Sequence, residues 1–357
     1  CSYIILDILP KCGVLFICPM AYQSLQYDKL TTPHFLFINP RRGVGRETTC
    51  DYMQKLFLCL SVIGMMLTGC SKNDDEDNGK NEGKLPDLPA LPDPDDVCSA
   101  MDDLNFMSYC YEKFDVNKDG KVSVGEANAV REINIGNNQI KSLKGIERFP
   151  NLKNIYCGDN PIEELDLRYN LSLISINKSA FYNCESLKWI LLPNSLKTIE
   201  DSAFSQCHNL TDITLPQDLI SIGKNAFYDC KSLKKILFPN SLKTIESFAF
   251  TNCSNLTYVS LPQNLISIGN AAFESCKSLT ELVLFPANLT SIKEYTFHHC
   301  SNLTKVTCYA LIPPKLDQFS FDEVNKIETL YVPAGSIQAY KDSYRWANRF
   351  KNILPIK

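Results

Sequence analysis

The sequence has no surplus of either charge: 36 Lys and Arg stand against 40 Asp and Glu, for a formal net charge of −4. Without a basic excess, the electrostatic footprint of a nucleic-acid-binding protein is missing. The sequence also has few catalytic cues. There are four histidines in all, and no Gly-rich phosphate loop, Ser-His-Asp set or paired-carboxylate signature stands out. The chain therefore reads as a binding or structural protein rather than an enzyme. What is present is a foldable composition, 45% apolar and 21% charged over 357 residues, enough for two or three domains or one long repeat array. Cysteine is the unusual abundance. Its 16 residues fall below the density of a small disulfide scaffold, yet are many for an enzyme core.

Residues 1–52 show no sustained period of strand or helix and read as an upstream extension, with the native start at Met53. Residues 53–69 carry a short basic start at Lys55 and an apolar stretch of about twelve residues, too short for the roughly 20 that span a bilayer. They read as a signal peptide rather than as a buried helix ending in Gly-Cys. Leu67-Thr68-Gly69-Cys70 resembles a bacterial lipobox, which implies cleavage before Cys70 and lipid attachment to it. Several acyl chains anchor stably where one is marginal. Residues 70–97 then form an acidic, Pro-rich tether, with Pro86, Pro89, Pro92 and Pro94; such a stretch cannot bury a core and stays extended. Its acidic start resembles the surface-export signal of Bacteroidetes lipoproteins, which implies the outer face of the outer membrane.

Residues 98–132 read as a small helical calcium module. Positions 115–126 are Asp-Val-Asn-Lys-Asp-Gly-Lys-Val-Ser-Val-Gly-Glu, the EF-hand pattern. Asp115, Asn117, Asp119, Ser123 and Glu126 supply side-chain oxygens, Lys121 its carbonyl, and Gly120 the sharp turn. Calcium needs six to eight hard oxygen ligands around one point; the competing reading is a solvated Asp/Asn turn. Leu104, Met107, Tyr111 and Phe114 mark an entry helix, and residues 127–133 can continue as the exit helix. No second loop is present to pair with the first, and Lys118 and Lys121 dilute the negative charge. Both features imply weak binding, of the kind that suffices at extracellular calcium.

From Ala180 the sequence repeats. Phe181, Phe204, Phe227, Phe250, Phe273 and Phe297 recur at intervals of 23, 23, 23, 23 and 24 residues. Cys184, Cys207, Cys230, Cys253, Cys276 and Cys300 follow in step, as do a Leu column and an Ile column. A fixed period in this range means a solenoid, because no single coil can bury its apolar face alone. Within each unit Leu-x-x-Ile-x-Leu-Pro alternates as a short strand that Pro ends. Upstream, residues 152–173 carry the more familiar leucine-rich pattern, with Asn160 and Asn170 at turns. Together these residues resemble the BspA-like leucine-rich repeat proteins. The resemblance implies an α/β-type repeat solenoid of mostly short strands and turns over 133–310, closed by a C-terminal cap over 311–357. It further implies surface adhesion and protein binding, and brings no catalytic residues.

On each strand the outward columns carry residues that differ from coil to coil. Trp189 and Tyr258, with Leu191, Lys235 and Leu237, are the candidate anchors for a partner. That partner is expected to be a host or neighbouring-cell surface protein or a glycan. The alternative is a structural or accessory lipoprotein of an outer-membrane uptake complex. His298-His299-Cys300 does not read as a zinc site, because Cys300 belongs to the inward repeat column. The ladder cysteines read as small buried hydrophobes, which leaves Cys98 and Cys110 as the candidate bridge.

Overall fold

The computed structural model describes residues 85, 87–284, 289–325 and 327–356. The upstream extension, the signal-like segment, Cys70 and the acidic start of the tether lie outside the described residues. Between Glu132 and Pro355 the chain winds into a parallel β-solenoid of about ten turns, and every paired strand is parallel to its neighbour.

Each coil has three sides, and the sequence explains each of them. The Leu-x-x-Ile-x-Leu phrase forms the first side. β5 (Trp189–Leu191) pairs with β3 (Glu164–Asp166) and β7 (Asp212–Thr214), putting Trp189 opposite Asp212. Further on, β10 (Tyr258–Leu261), β12 (Glu281–Leu284), β14 (Lys305–Cys308), β16 (Thr329–Val332) and β17 (Asn352–Pro355) form a five-stranded sheet. Pro then turns the chain: the carbonyls of Pro193, Pro216, Pro239 and Pro262 accept from the amides of Leu196, Leu219, Leu242 and Leu265.

The second side is a strand that sequence alternation did not reveal. Only two residues long, it joins β4 (Ser175–Ile176), β6 (Thr198–Ile199), β8 (Ser221–Ile222), β9 (Thr244–Ile245) and β11 (Ser267–Ile268) in one sheet. Two residues are too few for a period to register, although the buried Ile of each belongs to the column noted above.

The third side is a run of tight turns bonded to the next coil. The amides of Ser179, Phe181 and Asn183 donate to the carbonyls of Asp201, Ala203 and Ser205. The same step recurs along the array. Ser179, Ser202, Asn225, Phe248, Ala271, Tyr295 and Phe319 hold φ between 53° and 61°, a left-handed conformation that lets the corner turn back on itself.

The core follows from this stacking. Neighbouring Phe rings from Phe181 to Phe297 lie 5.1–5.6 Å apart and within 13° of parallel. The ladder continues past residue 310, to Phe321 at 5.1 Å from Phe297. There the cap takes over. Its helices α3 (Ile337–Asp342) and α4 (Tyr344–Arg349) bury Tyr340 and Trp346 against the last coils. Tyr340 donates from its hydroxyl to the Ala310 carbonyl at 3.0 Å, and the Trp346 indole donates to Pro314 O at 2.7 Å. Among the described residues no helix is long and apolar enough to cross a membrane.

The Cys ladder is buried throughout, and it does more than fill space. The thiols of Cys207, Cys230, Cys253, Cys276 and Cys300 each point at the carbonyl of the Phe one coil earlier, at 3.1–3.4 Å. That carbonyl already accepts one turn amide, such as Cys184 N onto Phe181 O. The thiol serves its second lone pair in a place water cannot reach. Burial pushes these thiols up, to about 12 for Cys184 and Cys300 and well above the ordinary value for the rest. The thiolate is the reactive form, so the ladder should resist alkylation. N-ethylmaleimide followed by mass spectrometry should find these cysteines unmodified in the native protein and fully modified in guanidinium. Modification of the ladder before unfolding would show that the column is open to solvent.

Candidate functional site

The EF-hand-like loop lies between two short helices. The entry helix α1 (Leu104–Phe114) starts at Asp103, whose carboxylate accepts from the amides of Asn105 and Phe106 at 2.9 and 3.0 Å. Its buried face differs from the expected stripe. Phe106 and Cys110 are fully buried, whereas Leu104 is 74% exposed, because Phe106 and Cys110, one helical turn apart, are the pair that meets the core. The exit helix also differs. α2 runs over Val124–Ala129 and does not extend to residue 133, since Ile133 already belongs to β1 (Glu132–Asn134). A capping box between Ser123 and Glu126 starts it inside the loop, and Val130 leaves the helix in an extended conformation.

Within the loop, hydrogen bonds hold the side chains expected to ligate. Asp115 Oδ2 accepts from Gly120 N at 2.9 Å, and Gly120 sits at φ +85°. Asn117 Oδ1 accepts from Asp119 N at 2.9 Å, and Asp119 Oδ1 from Lys121 N at 2.9 Å. Glu126 reaches across the loop and joins its two ends. One oxygen accepts from Val116 N at 2.8 Å, the other from Ser123 N at 2.9 Å and Ser123 Oγ at 2.8 Å. The Ser123 amide and hydroxyl, then the Val116 amide, hold this carboxyl down to about 2. The donor set is oxygen throughout, which suits a hard divalent cation. The carboxylates are engaged by amides, and among the described residues no three His, Cys, Asp or Glu groups are arranged to hold a metal ion.

Two contacts tie the loop to the segment before the entry helix. The Lys121 ammonium is directed away from the loop, at Asp93 Oδ2, 3.0 Å distant. The second contact is at Val122. Val122, fully buried at the centre of the loop, accepts at its carbonyl from Val97 N at 2.9 Å and donates from its amide to Asp96 Oδ1 at 3.1 Å. The buried Asp96 also accepts from the Tyr111 hydroxyl at 2.6 Å. The end of the Pro-rich segment, where the 3-10 turn Val97–Ala100 begins, thus closes over the middle of the loop. Cys98 and Cys110, the candidate bridge, are present as buried thiols.

The outward columns of the first sheet fall as follows. Trp189 and Leu191 lie half-buried on β5, and Tyr258 half-buried on β10. The coil between β7 and β10 makes a single bridge, Lys235 to Tyr258, so the sheet is interrupted there. That coil carries Phe238 where its neighbours have Leu, and the larger ring packs edge-on against Phe250 and Phe273. Leu237 beside it is 57% exposed. At a strand spacing of about 4.7–4.9 Å, Trp189 and Tyr258 lie about 14 Å apart, with Lys235 between them. Two coils beyond Leu237, the column that holds Leu191 and Leu237 closes, since Val283 and Thr307 are buried. His298 and Cys300 diverge: His298 Nδ1 contacts Glu274 Oε1 at 3.2 Å, and Cys300 turns inward.

A parallel solenoid of leucine-rich coils defines a leucine-rich repeat protein, a fold typical of protein-binding modules. More narrowly, residues 152–280 and 267–354 match the BspA type Leucine rich repeat region in six copies. These segments span more than half of the chain, which therefore belongs to that family. Similar solved structures include a Treponema pallidum leucine-rich repeat protein, at 28% identity and a TM-score of 0.38, covering 50% of this chain and 78% of that one. A leucine-rich repeat protein of Bacteroides ovatus shows 20% identity and a TM-score of 0.34, over 64% and 76% of the two chains. The pneumococcal vaccine antigen PcpA shows 18% identity and a TM-score of 0.33, over 64% and 78%. No curated protein matches the chain.

The depressed carboxyl of Glu126 gives a pH dependence. Its folded value of about 2 lies below the ordinary 4.5, so the stability it contributes is fully present above 4.5 and is lost as pH falls towards 2. In chelator, Glu126→Gln should melt below wild type by a constant margin at neutral pH. Acidification through that window should bring the two curves together. A margin that persists at the acid end would show that the carboxylate does not hold the loop.

Proposed function

We propose that this protein is a surface-anchored binding module whose first sheet presents Trp189, Leu191, Lys235, Leu237 and Tyr258 to a protein partner. One observation supports this above all: on the first sheet the nearly unbroken repeat carries non-repeating outward residues, and the most exposed of the apolar ones, Leu237, sits at the break in the sheet. Aromatic residues at a patch centre carry most of the energy in such contacts. Lipid attachment at Cys70 would tie the chain to the outer membrane, and the acidic, Pro-rich segment would lift the solenoid from it. Calcium in the 115–126 loop, held by Asp115, Asn117, Asp119, Lys121 O, Ser123 and Glu126, would stiffen the join between tether and solenoid. The role is binding rather than catalysis, as for leucine-rich repeat modules in general.

Three measurements test the parts separately. Pull-down against host matrix and mucin components should recover a ligand, and Trp189→Ala should weaken it by about tenfold, roughly 1.4 kcal/mol. Recovery of only an outer-membrane protein of the same cell would favour the accessory role. Calcium at millimolar level should raise the melting temperature of wild type and leave Glu126→Gln unmoved; no rise in wild type would remove calcium from the proposal. Palmitate labelling should vanish in Cys70→Ala, and labelling that persists would remove the anchor.

A further inference from the structure

A different edge of the solenoid, where the second sheet meets the turn side, carries features that the core does not explain. Every coil places one left-handed residue at this corner. Ser179, Ser202 and Asn225 suit that conformation; bulky aromatic side chains do not. Yet Phe248, Tyr295 and Phe319 adopt it, at φ 61°, 58° and 60°; Phe248 is half-buried, with the Lys224 ammonium 6.0 Å from its ring centre. Tyr295 and Phe319 remain 37% and 38% exposed. They stack on each other at 5.3 Å and 20°, and His298, itself bonded to Glu274, packs edge-on against Tyr295 at 5.3 Å. One coil earlier the same column holds Ala271, whose methyl group is too short to continue the stack over Tyr295. The pair therefore presents aromatic surface to solvent at a corner where the other coils hold smaller or more covered side chains.

The same edge holds an open trough of about 370 Å³ over the earlier coils. It arises from an alternation in the repeat. Pro-Asn-Ser-Leu-Lys-Thr-Ile-Glu occurs identically at 193–200 and 239–246, and the coils between and after carry Leu-Ile-Ser-Ile-Gly at 219–223 and 265–269. Thr198, Ser221 and Thr244 therefore line the trough beside Glu200, Asp201 and Glu246. Glu200 is engaged by Ser175 Oγ at 2.6 Å and by Lys178 N at 3.1 Å. For Glu246 the matching amide would be Lys224 N, but Asp201 already accepts from it at 2.8 Å. Glu246 is left exposed at the trough.

We propose that this edge, from Thr198 to Phe319, binds a linear oligosaccharide. A sugar ring has an apolar C–H face and a rim of hydroxyls. Exposed aromatic faces take the first, and carboxylates interleaved with Ser and Thr hydroxyls take the second. Five coil steps of about 4.7–4.9 Å give a strip of about 24 Å, long enough for several sugar units. The strip is separate from the first sheet, so it stands whether or not that sheet binds protein.

The test uses the full chain on an array of defined oligosaccharides covering linear glucans, xylans and mucin-type O-glycans, with titration calorimetry of the strongest binder. Tyr295→Asn is the informative variant: Asn favours the left-handed corner, as Asn225 does, so the fold should melt no lower than wild type. Its affinity for the oligosaccharide should fall by about tenfold, and Glu246→Gln should weaken the same ligand. Trp189→Ala, on the other face, should leave it unchanged. The proposal fails if no oligosaccharide binds, if Tyr295→Asn binds as wild type does, or if binding disappears in high salt. The last outcome would mark an ion-paired cationic partner instead.

Discussion

The backbone hydrogen bonds between successive coils set one spacing, and the rest of the solenoid is built to that spacing. Parallel strands on two sides and bonded turns on the third hold the rise near the 4.7–4.9 Å of any β-ladder. At that rise, identical side chains in consecutive coils meet face to face. Phe rings then stack at 5.1–5.6 Å, and each Cys thiol reaches the carbonyl one coil behind it. A column of like residues is thus a consequence of the rise, and substitution at one rung is felt by both neighbours.

The same constraint decides what could be read beforehand. Buried columns are legible because each coil must satisfy the same neighbour, so Phe, Cys, Leu and Ile return at a fixed interval. The second strand escaped because two residues such as Ser221 and Ile222 show no alternation. The extent of the exit helix escaped for a different reason: the Ser123/Glu126 capping box starts it inside the loop, and Val130 turns extended so that Ile133 can enter the first strand of the solenoid. The left-handed corners were hidden by their own exceptions. Ser179, Ser202 and Asn225 would have hinted at them, but Phe248, Tyr295 and Phe319 share the column and point the other way.

The outward residues singled out from the strand pattern do lie on one face, but that face is less uniform than a regular column implies. Phe238 interrupts the sheet beside Leu237, and the column closes at Val283 and Thr307. The 115–126 loop presents the converse. Its pattern of oxygen-bearing side chains was plain, whereas the contact from Asp96 and Val97 to Val122 joins segments more than twenty residues apart and leaves no local trace. In this arrangement the end of the Pro-rich segment does not merely precede the loop. It is one of its walls.

The pairing of coils into Lys-Thr-Ile-Glu and Ile-Ser-Ile-Gly types has a bearing on how such a chain changes over generations. Loss or gain of one coil would set two carboxylate-bearing coils, or two glycine-bearing coils, side by side and alter the edge. Loss or gain of two would shorten or lengthen the protein and leave the pattern of its surface intact. Phe181 and Phe227, 46 residues apart, bracket one such unit. Recombination between the identical stretches at 193–200 and 239–246 would remove or add that whole unit. The molecule could thereby vary its reach while keeping the chemistry it presents.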